Sequence, residues 1–293
     1  MIGALGTTLF FALTAVFANR AAQLLGSTRA NLWRLIVATA LLGLWAHAAG
    51  RGLGGVAMGW FFLGGVVGFG VGGVAMFQAL PRLGSSLAML VVQCGSAVAA
   101  ALLEWLWLGT RLSPLQTGCA ALTLLGVVLG LLPRSLPPVR PGVLRVGVAW
   151  AVLSALGQGA GAVFSRKAFA VAALAHERID AGTAAYQRVL GGLLVAVIAF
   201  AIAQWWRPET VAKGRRAWPW VLANAATGPV LGVTCYQWAL GTTPSGIVQP
   251  IVATSPLITI PLAAPFERSW PRPLYYAGAV LAVAGVAGLF ISR

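Results

Sequence analysis

Charge is what this sequence lacks. Only 9% of its 293 residues are charged, and five acidic residues face 20 Lys and Arg. A soluble chain carries about 25% charged residues, so these side chains cannot cover a water-facing surface. His occurs twice and Cys three times. Cys94, Cys119 and Cys235 all lie inside apolar runs and have no CxxC spacing, which argues against a disulfide framework or a metal site. The acidic residues are scattered, so no carboxylate or Ser–His constellation marks an active site. The chain therefore reads as a non-enzyme with no cofactor and no metal.

What is present is apolar: 59% of residues, at a mean hydropathy of +0.87. The apolar runs span 2–18, 30–49, 56–80, 84–108, 115–132, 143–164, 183–203, 218–240, 246–264 and 274–291. Each can cross a hydrocarbon core, which takes about 20 residues as a helix. None alternates polar and apolar residues as a barrel strand would. Trp105, Trp107, Trp205, Trp206, Trp218, Trp220 and Trp270 sit near run ends, where an amphipathic ring meets the headgroups. No basic stretch precedes the first run, and Asn19-Arg20 closes it, so it reads as a spanning helix and not a cleaved leader. These features predict an all-α integral membrane protein with ten transmembrane helices.

The net charge of +15 does not point to nucleic acid, because the basic residues stand singly between apolar runs. They read as loop charges against anionic lipid headgroups. Eighteen of the 20 are Arg, for which we have no physical account. The charges inside runs, Arg34, Glu104, Arg145 and Arg188, lie close enough to run ends to snorkel outward. Glycines recur at spacings of four: Gly64, Gly68 and Gly72 in the third run, Gly126 and Gly130 in the fifth, Gly157 and Gly161 in the sixth. Such spacing lets helix backbones approach closely and predicts tight packing of runs three and six. The GxGxxG at Gly68–Gly73 lies inside a span, so helix packing explains it better than a dinucleotide site.

The chain also repeats itself. Gln78 and Gln237 are 159 residues apart, and the same offset relates Ser86 to Ser245, Ser96 to Ser255, Pro114-Leu115 to Pro273-Leu274 and Gly126-Val127 to Gly285-Val286. Trp33-Arg34 aligns with Gln187-Arg188 at an offset of 154, and Ala15-Val16-Phe17 with Ala162-Val163-Phe164 at 147. The drift places extra loop residues in the second copy. The division is residues 1–132, a linker at 133–142, and residues 143–293. Five runs per copy is an odd number, so the second copy enters the membrane in the opposite sense, giving two inverted five-helix repeats.

With five-plus-five helices and an Arg early in each second helix (Arg34, Arg188), the chain resembles the drug/metabolite transporter superfamily, EamA type. The junction Leu106-Trp-Leu-Gly109-Thr110-Arg111-Leu112, followed by Gln116 and Gly126, carries the same resemblance, as do Pro265-Phe-Glu267-Arg268 and Gly285. Thr110 departs from the Glu usual there, while Glu267 keeps it. The resemblance implies a secondary carrier with a central cavity between its halves, an amino acid or related metabolite as cargo, export, and both termini in the cytoplasm of a bacterial inner membrane. The basic residues count the other way: twelve lie on the loops opposite the amino terminus and six on its own side, which places the termini outside.

Polar side chains inside apolar runs should face inward, because lipid offers no hydrogen bonds. Thr14, Gln93, Ser96, Gln158, Asn224, Gln249 and Ser255 lie near run middles, and Gln78, Tyr236 and Gln237 nearer one end. These ten are the predicted cavity-lining, substrate-binding set, with helix–helix bonding as the alternative for the hydroxyls above all. Pro229, Pro250 and Pro256 free backbone carbonyls and are predicted gating or hinge positions. Arg34 and Arg188 either snorkel, bond helix-end carbonyls as structural groups, or bind a substrate carboxylate. No acidic residue lies mid-run, so the expected substrate is neutral, zwitterionic or anionic, with no buried proton-coupling carboxylate. The expected partners are that small molecule and membrane lipids, with the chain a monomer or homodimer. Two other readings are a lipid or isoprenoid-phosphate carrier or scramblase and, more distantly, an integral-membrane lipid enzyme.

Overall fold

The structure is a computed structural model, and it describes residues 1–133, 140–206, 214–267 and 271–292. Most of the expected linker, the basic residues Arg134, Arg207, Lys213, Arg268 and Arg293, and Trp270 lie outside them. The described residues are helical almost throughout. Helix α1 (Ile2–Leu25) is separated from α2 (Ser27–Ala48) by Gly26 alone, whose φ of 81° turns the chain. Next, α3 (Met58–Gly65) runs through a π turn at Val66–Val71 into α4 (Gly72–Leu108). Helix α5 (Pro114–Leu131) starts with a capping box: Ser113 Oγ accepts from Gln116 N at 3.2 Å and Gln116 Oε1 from Ser113 N at 3.0 Å.

In the second half come α6 (Pro141–Leu174), which begins inside the expected linker, and α7 (Ala181–Trp206). A 3-10 turn at Gly214–Ala217 leads into α8 (Trp218–Ala225), a second π turn at Ala226–Gly232 and α9 (Val233–Thr242). The last elements are α10 (Ser245–Val252), α11 (Ser255–Glu267) and α12 (Pro273–Ile291). Among the described residues, seven stretches are long and apolar enough to cross a membrane. One of them, Met58–Leu108, has 51 residues, roughly 75 Å of helix and more than twice the hydrocarbon thickness. Gly84 breaks it, with φ 72° and ψ 164°, three residues after Pro81.

The interior is built from small side chains and the exterior from large ones. Buried positions are dominated by Ala and Gly, while Leu44, Leu106, Leu125, Ile198, Val280 and Val283 point outward. That inversion follows from lipid being as apolar as Leu: packing contacts, and not water exclusion, hold the helices together. The glycine spacings show the consequence. A Cβ on Gly161 would lie 2.8 Å from Gly64 O and 2.9 Å from Gly68 Cα, and one on Gly157 would lie 3.1 Å from Gly72 Cα. So α6 packs backbone to backbone on α3 and α4. Gly126 does the same for α5 on α12, with an added Cβ 2.4 Å from Ala282 N.

Packing exchanges the halves. Helix α1 packs on α8, the second π turn and α9, as α6 packs on α3, the first π turn and α4; α2 meets α7 and α5 meets α12. The π turns begin 160 residues apart, one more than the 159 between Gln78 and Gln237. Pro229 lies inside the second, where its missing N–H forces the ladder to slip. The first has no proline and was not legible in the sequence.

Candidate functional site

A cavity of about 1280 Å³ opens at one end of the bundle. Its wall comes from the second half of α1, α4 on either side of Gly84, the end of α5, α11 and the start of α12. The break at Gly84 turns Ser85 and Ser86 into the cavity beside Pro81. Asn19, Gln23, Thr259 and Tyr275 add polar groups, and Met76, Phe77, Met89 and Ile260 add apolar ones. Two cations stand at the rim: Arg20 donates to Gln23 Oε1 at 3.4 Å, and Arg272 to Leu132 O at 2.5 Å. Tyr275 donates its hydroxyl to Leu257 O.

Of the predicted site residues, Pro256 alone lines this cavity. Two predicted pairs meet further along the bundle. Thr14 Oγ1 donates to Asn224 Oδ1 at 2.6 Å, joining α1 to α8, and Gln93 Nε2 donates to Ser255 Oγ at 3.3 Å, joining α4 to α11. Ser96 donates to Gln93 O at 3.0 Å. Gln158 donates to Ser154 Oγ at 3.2 Å, and Ser154 donates on to Gly72 O at 2.7 Å, so this amide serves the α6–α4 seam. Gln78 is exposed and its Oε1 accepts from Arg82 at 3.0 Å. Gln249 is buried in α10, with Pro250 inside the same helix. Gln237 is fully buried, and neither of its amide atoms has a partner among the described residues. The chain is non-helical between α10 and α11, just before Ser255-Pro256.

A buried charge cluster ties the helices together at the opposite end. Glu104, 2% exposed, accepts from Arg166 Nε at 3.0 Å, from Ser245 N at 2.5 Å and from the Ser245 hydroxyl. Arg166 also donates to Leu240 O at 2.6 Å. One carboxylate thus ties α4 to α6 and to the first turn of α10, where the helix dipole favours negative charge. Trp60, Trp107 and Phe164 pack edge and face nearby, and Phe61 meets Phe169 at 4.9 Å. Arg51 pairs with Glu177 at 2.9 Å. Gln187 donates to Gly52 O and Gly54 O, each at 3.0 Å. Asp180 caps α7, accepting from Thr183 N at 2.9 Å and from Trp45 Nε1 at 3.2 Å. Burial pushes the Asp180 carboxyl up, but the hydrogen bonds from Thr183, Trp45 and the Gly182 backbone outweigh it and hold it below its ordinary value.

The expectation that charges near run ends snorkel outward fails for two of them. Glu104 finds its cation inside the bundle, and Arg188 is 4% exposed in the seam between α7, α3 and α6. Arg34 is half-buried and donates to Asn31 Oδ1 at 2.9 Å. The Glu104–Arg166–Ser245 cluster escaped sequence reasoning because Glu104 and Arg166 lie near segment ends, where charge normally meets water. The signal available was Pro244-Ser245, a helix start that needs an acceptor. Asn19, Gln23, Ser85 and Ser86 were missed for the same reason.

Among curated proteins none matches this chain. A solved structure titled only "Crystal structure of protein" matches with a TM-score of 0.75 at 18% identity, covering 99% of this chain and 96% of that one. At that identity the likeness speaks for the fold alone. The EamA-like transporter family matches twice, over residues 1–132 and 145–291. Both matches fall on the helical, lipid-facing bundle just described, and the chain belongs to the EamA-like transporter family of the drug/metabolite transporter superfamily, a family of multi-pass membrane transporters.

Proposed function

We propose that this chain is a secondary transporter that exports a small neutral, zwitterionic or anionic metabolite, an amino acid or related compound, by alternating access. One observation carries the reading: a cavity of about 1280 Å³ opens at one end while a buried carboxylate locks the other. A carrier needs that asymmetry and must be able to reverse it. In the reverse state Glu104 exchanges Ser245 for water, and the cavity rim at Pro81, Gly130 and Pro271 closes.

The reading includes ten membrane crossings in two oppositely inserted quintets. Gly84 divides Met58–Leu108 into two of them, and α2 and the α8–α9 unit complete the count. The two family matches, the equivalent π turns and the exchanged packing of α1 and α6 support inverted repeats. Pro229, in the second π turn, and Pro250 and Pro256, flanking the α10–α11 break, are the hinges. They sit where backbone groups are already released from the helical ladder and can change partners at small cost. The membrane is the bacterial inner membrane.

Thermal-shift screening of the purified chain against amino acids, nucleosides, sugars and phospho-compounds tests this directly. A soluble metabolite should raise the melting temperature by mass action and then be taken up by liposomes carrying the protein. A shift produced only by isoprenoid phosphates or phospholipids overturns the reading in favour of a lipid carrier.

A further inference from the structure

Arg188 is a buried cation, 4% exposed, with no counter-charge among the described residues. Its Nη1 donates to Gly161 O at 2.8 Å and to Ser165 Oγ at 2.6 Å. Its Nε is buried and unpartnered, and among the described residues Nη2 meets no acceptor either. The carboxylates within the described side chains are engaged elsewhere: Glu104 by Arg166, Glu177 by Arg51, and Asp180 by Thr183 and Trp45. The guanidinium lies against two rings, 5.4 Å from the centre of Phe69 and 5.3 Å from that of Tyr236. No side chain crowds its Nη2 edge from Gly68 or Gly161, where a Cβ would come within 3.0 and 3.1 Å.

Neutral acceptors and ring faces offset only part of the several kcal/mol that desolvating a cation costs. The remaining donors, Nε and Nη2, form the planar fork that fits a carboxylate bidentately. Tyr236 adds a phenol hydroxyl with no hydrogen bond among the described residues, on a ring that is 5% exposed. Phe11 packs 6.4 Å from Tyr236, one helical turn before Ala15 of the cavity wall, and forms an aromatic layer with it. We infer that Arg188, with Tyr236 beside it, is the anion subsite of the transport path, and that the cargo presents a carboxylate on a small apolar body. The inference rests on the transporter reading and narrows its substrate class. The substrate supplies the missing counter-charge, so an empty carrier keeps an unpaired cation and a loaded one does not.

The test uses the full chain in nanodiscs and two matched probe sets, the proteinogenic L-amino acids and their carboxamides. On the unaltered protein at least one acid should raise the melting temperature while its amide, of the same shape and without the carboxylate, does not. Arg188→Gln should weaken acid binding by about 100-fold and Tyr236→Phe by about fivefold, the worth of a charge-assisted and of a single hydrogen bond. Equal shifts from acid and amide, acid binding retained in Arg188→Gln, or no acid bound at all would each overturn the inference. The acid–amide comparison needs no variant, so a misfolded Arg188→Gln leaves it decisive. If amides or sugars bind and are transported instead, the carboxylate inference falls while the transporter reading stands. If no compound of any class is bound or moved, both fall.

Discussion

At one end of the bundle Glu104 holds Arg166 and Ser245 in a buried knot; at the other Asn19, Gln23, Ser85 and Ser86 turn toward open space. Both ends are polar, and the difference lies in what the polar groups face. The knot joins three helices through one carboxylate, so it forms or breaks as a unit. The open end is held apart by backbone, through Gly84 at φ 72° and Pro81, which lies inside the same helix three residues earlier. In the alternating-access reading proposed above, the two ends exchange these states. The family matches both halves of the chain, and on that reading the asymmetry between ends belongs to one conformation.

The largest effect on that contrast is expected from Glu104→Ala. It leaves Arg166 without its carboxylate and Ser245 N without an acceptor, and should cost about 3–5 kcal/mol, as for one half of a buried pair. Melting of the purified protein measures it, and an unchanged melting temperature would show that the knot carries no weight. Next in size is Gly126→Ala, where the new methyl meets the α12 backbone 2.4 Å away. Overpacking of that kind costs about 1–3 kcal/mol. Gly118→Ala in the same helix, with nothing within 4 Å of its Cβ, should instead stabilise by roughly 0.5–1 kcal/mol through helix propensity. If both glycine variants melt alike, the close packing of α5 on α12 is wrong.

The smallest of the three losses sharpens the comparison through pH. Asp180 caps α7 at the Glu104 end, and replacing it with Ala should cost about 1 kcal/mol. Its carboxyl titrates below the ordinary value in the folded chain. The cap is therefore fully effective above the unfolded carboxyl's value of about 3.9 and fades as pH falls through the lower folded value. Melting of the parent chain and Asp180→Ala should differ at pH 7 and converge in strong acid. A difference that is unchanged from pH 7 into strong acid would contradict the assignment.

The membrane class and the repeat were legible in the sequence, because hydropathy and the 159-residue offset are properties of order along the chain. The tight packing of the third and sixth runs was legible too; that Gly64, Gly68 and Gly72 meet Gly157 and Gly161 of the other run needed the fold. Which polar groups reach the cavity was not legible. Depth along a helix says that Gln93 or Gln158 must avoid lipid, and it does not distinguish a seam from a hollow. Gln158 lies in a seam with Ser154, and the cavity wall draws on Asn19, Gln23 and Ser85 from helix ends. Glu104 and Arg166, 62 residues apart in the chain, needed the fold to bring them together.

Thiol accessibility tests the central claim most directly. With Cys94, Cys119 and Cys235 replaced by Ala or Ser, Ser85→Cys places a thiol in the open cavity. Thr243→Cys, 3% exposed between α9 and α10, places one at the Glu104 end. In membrane vesicles of known sidedness, a membrane-impermeant maleimide should label Ser85→Cys readily from one face and leave Thr243→Cys protected. That face also decides between the two orientations of the termini. Equal labelling of both thiols, or ready labelling of Thr243→Cys with Ser85→Cys inert, would contradict a carrier open at the Gly84 end and locked by Glu104.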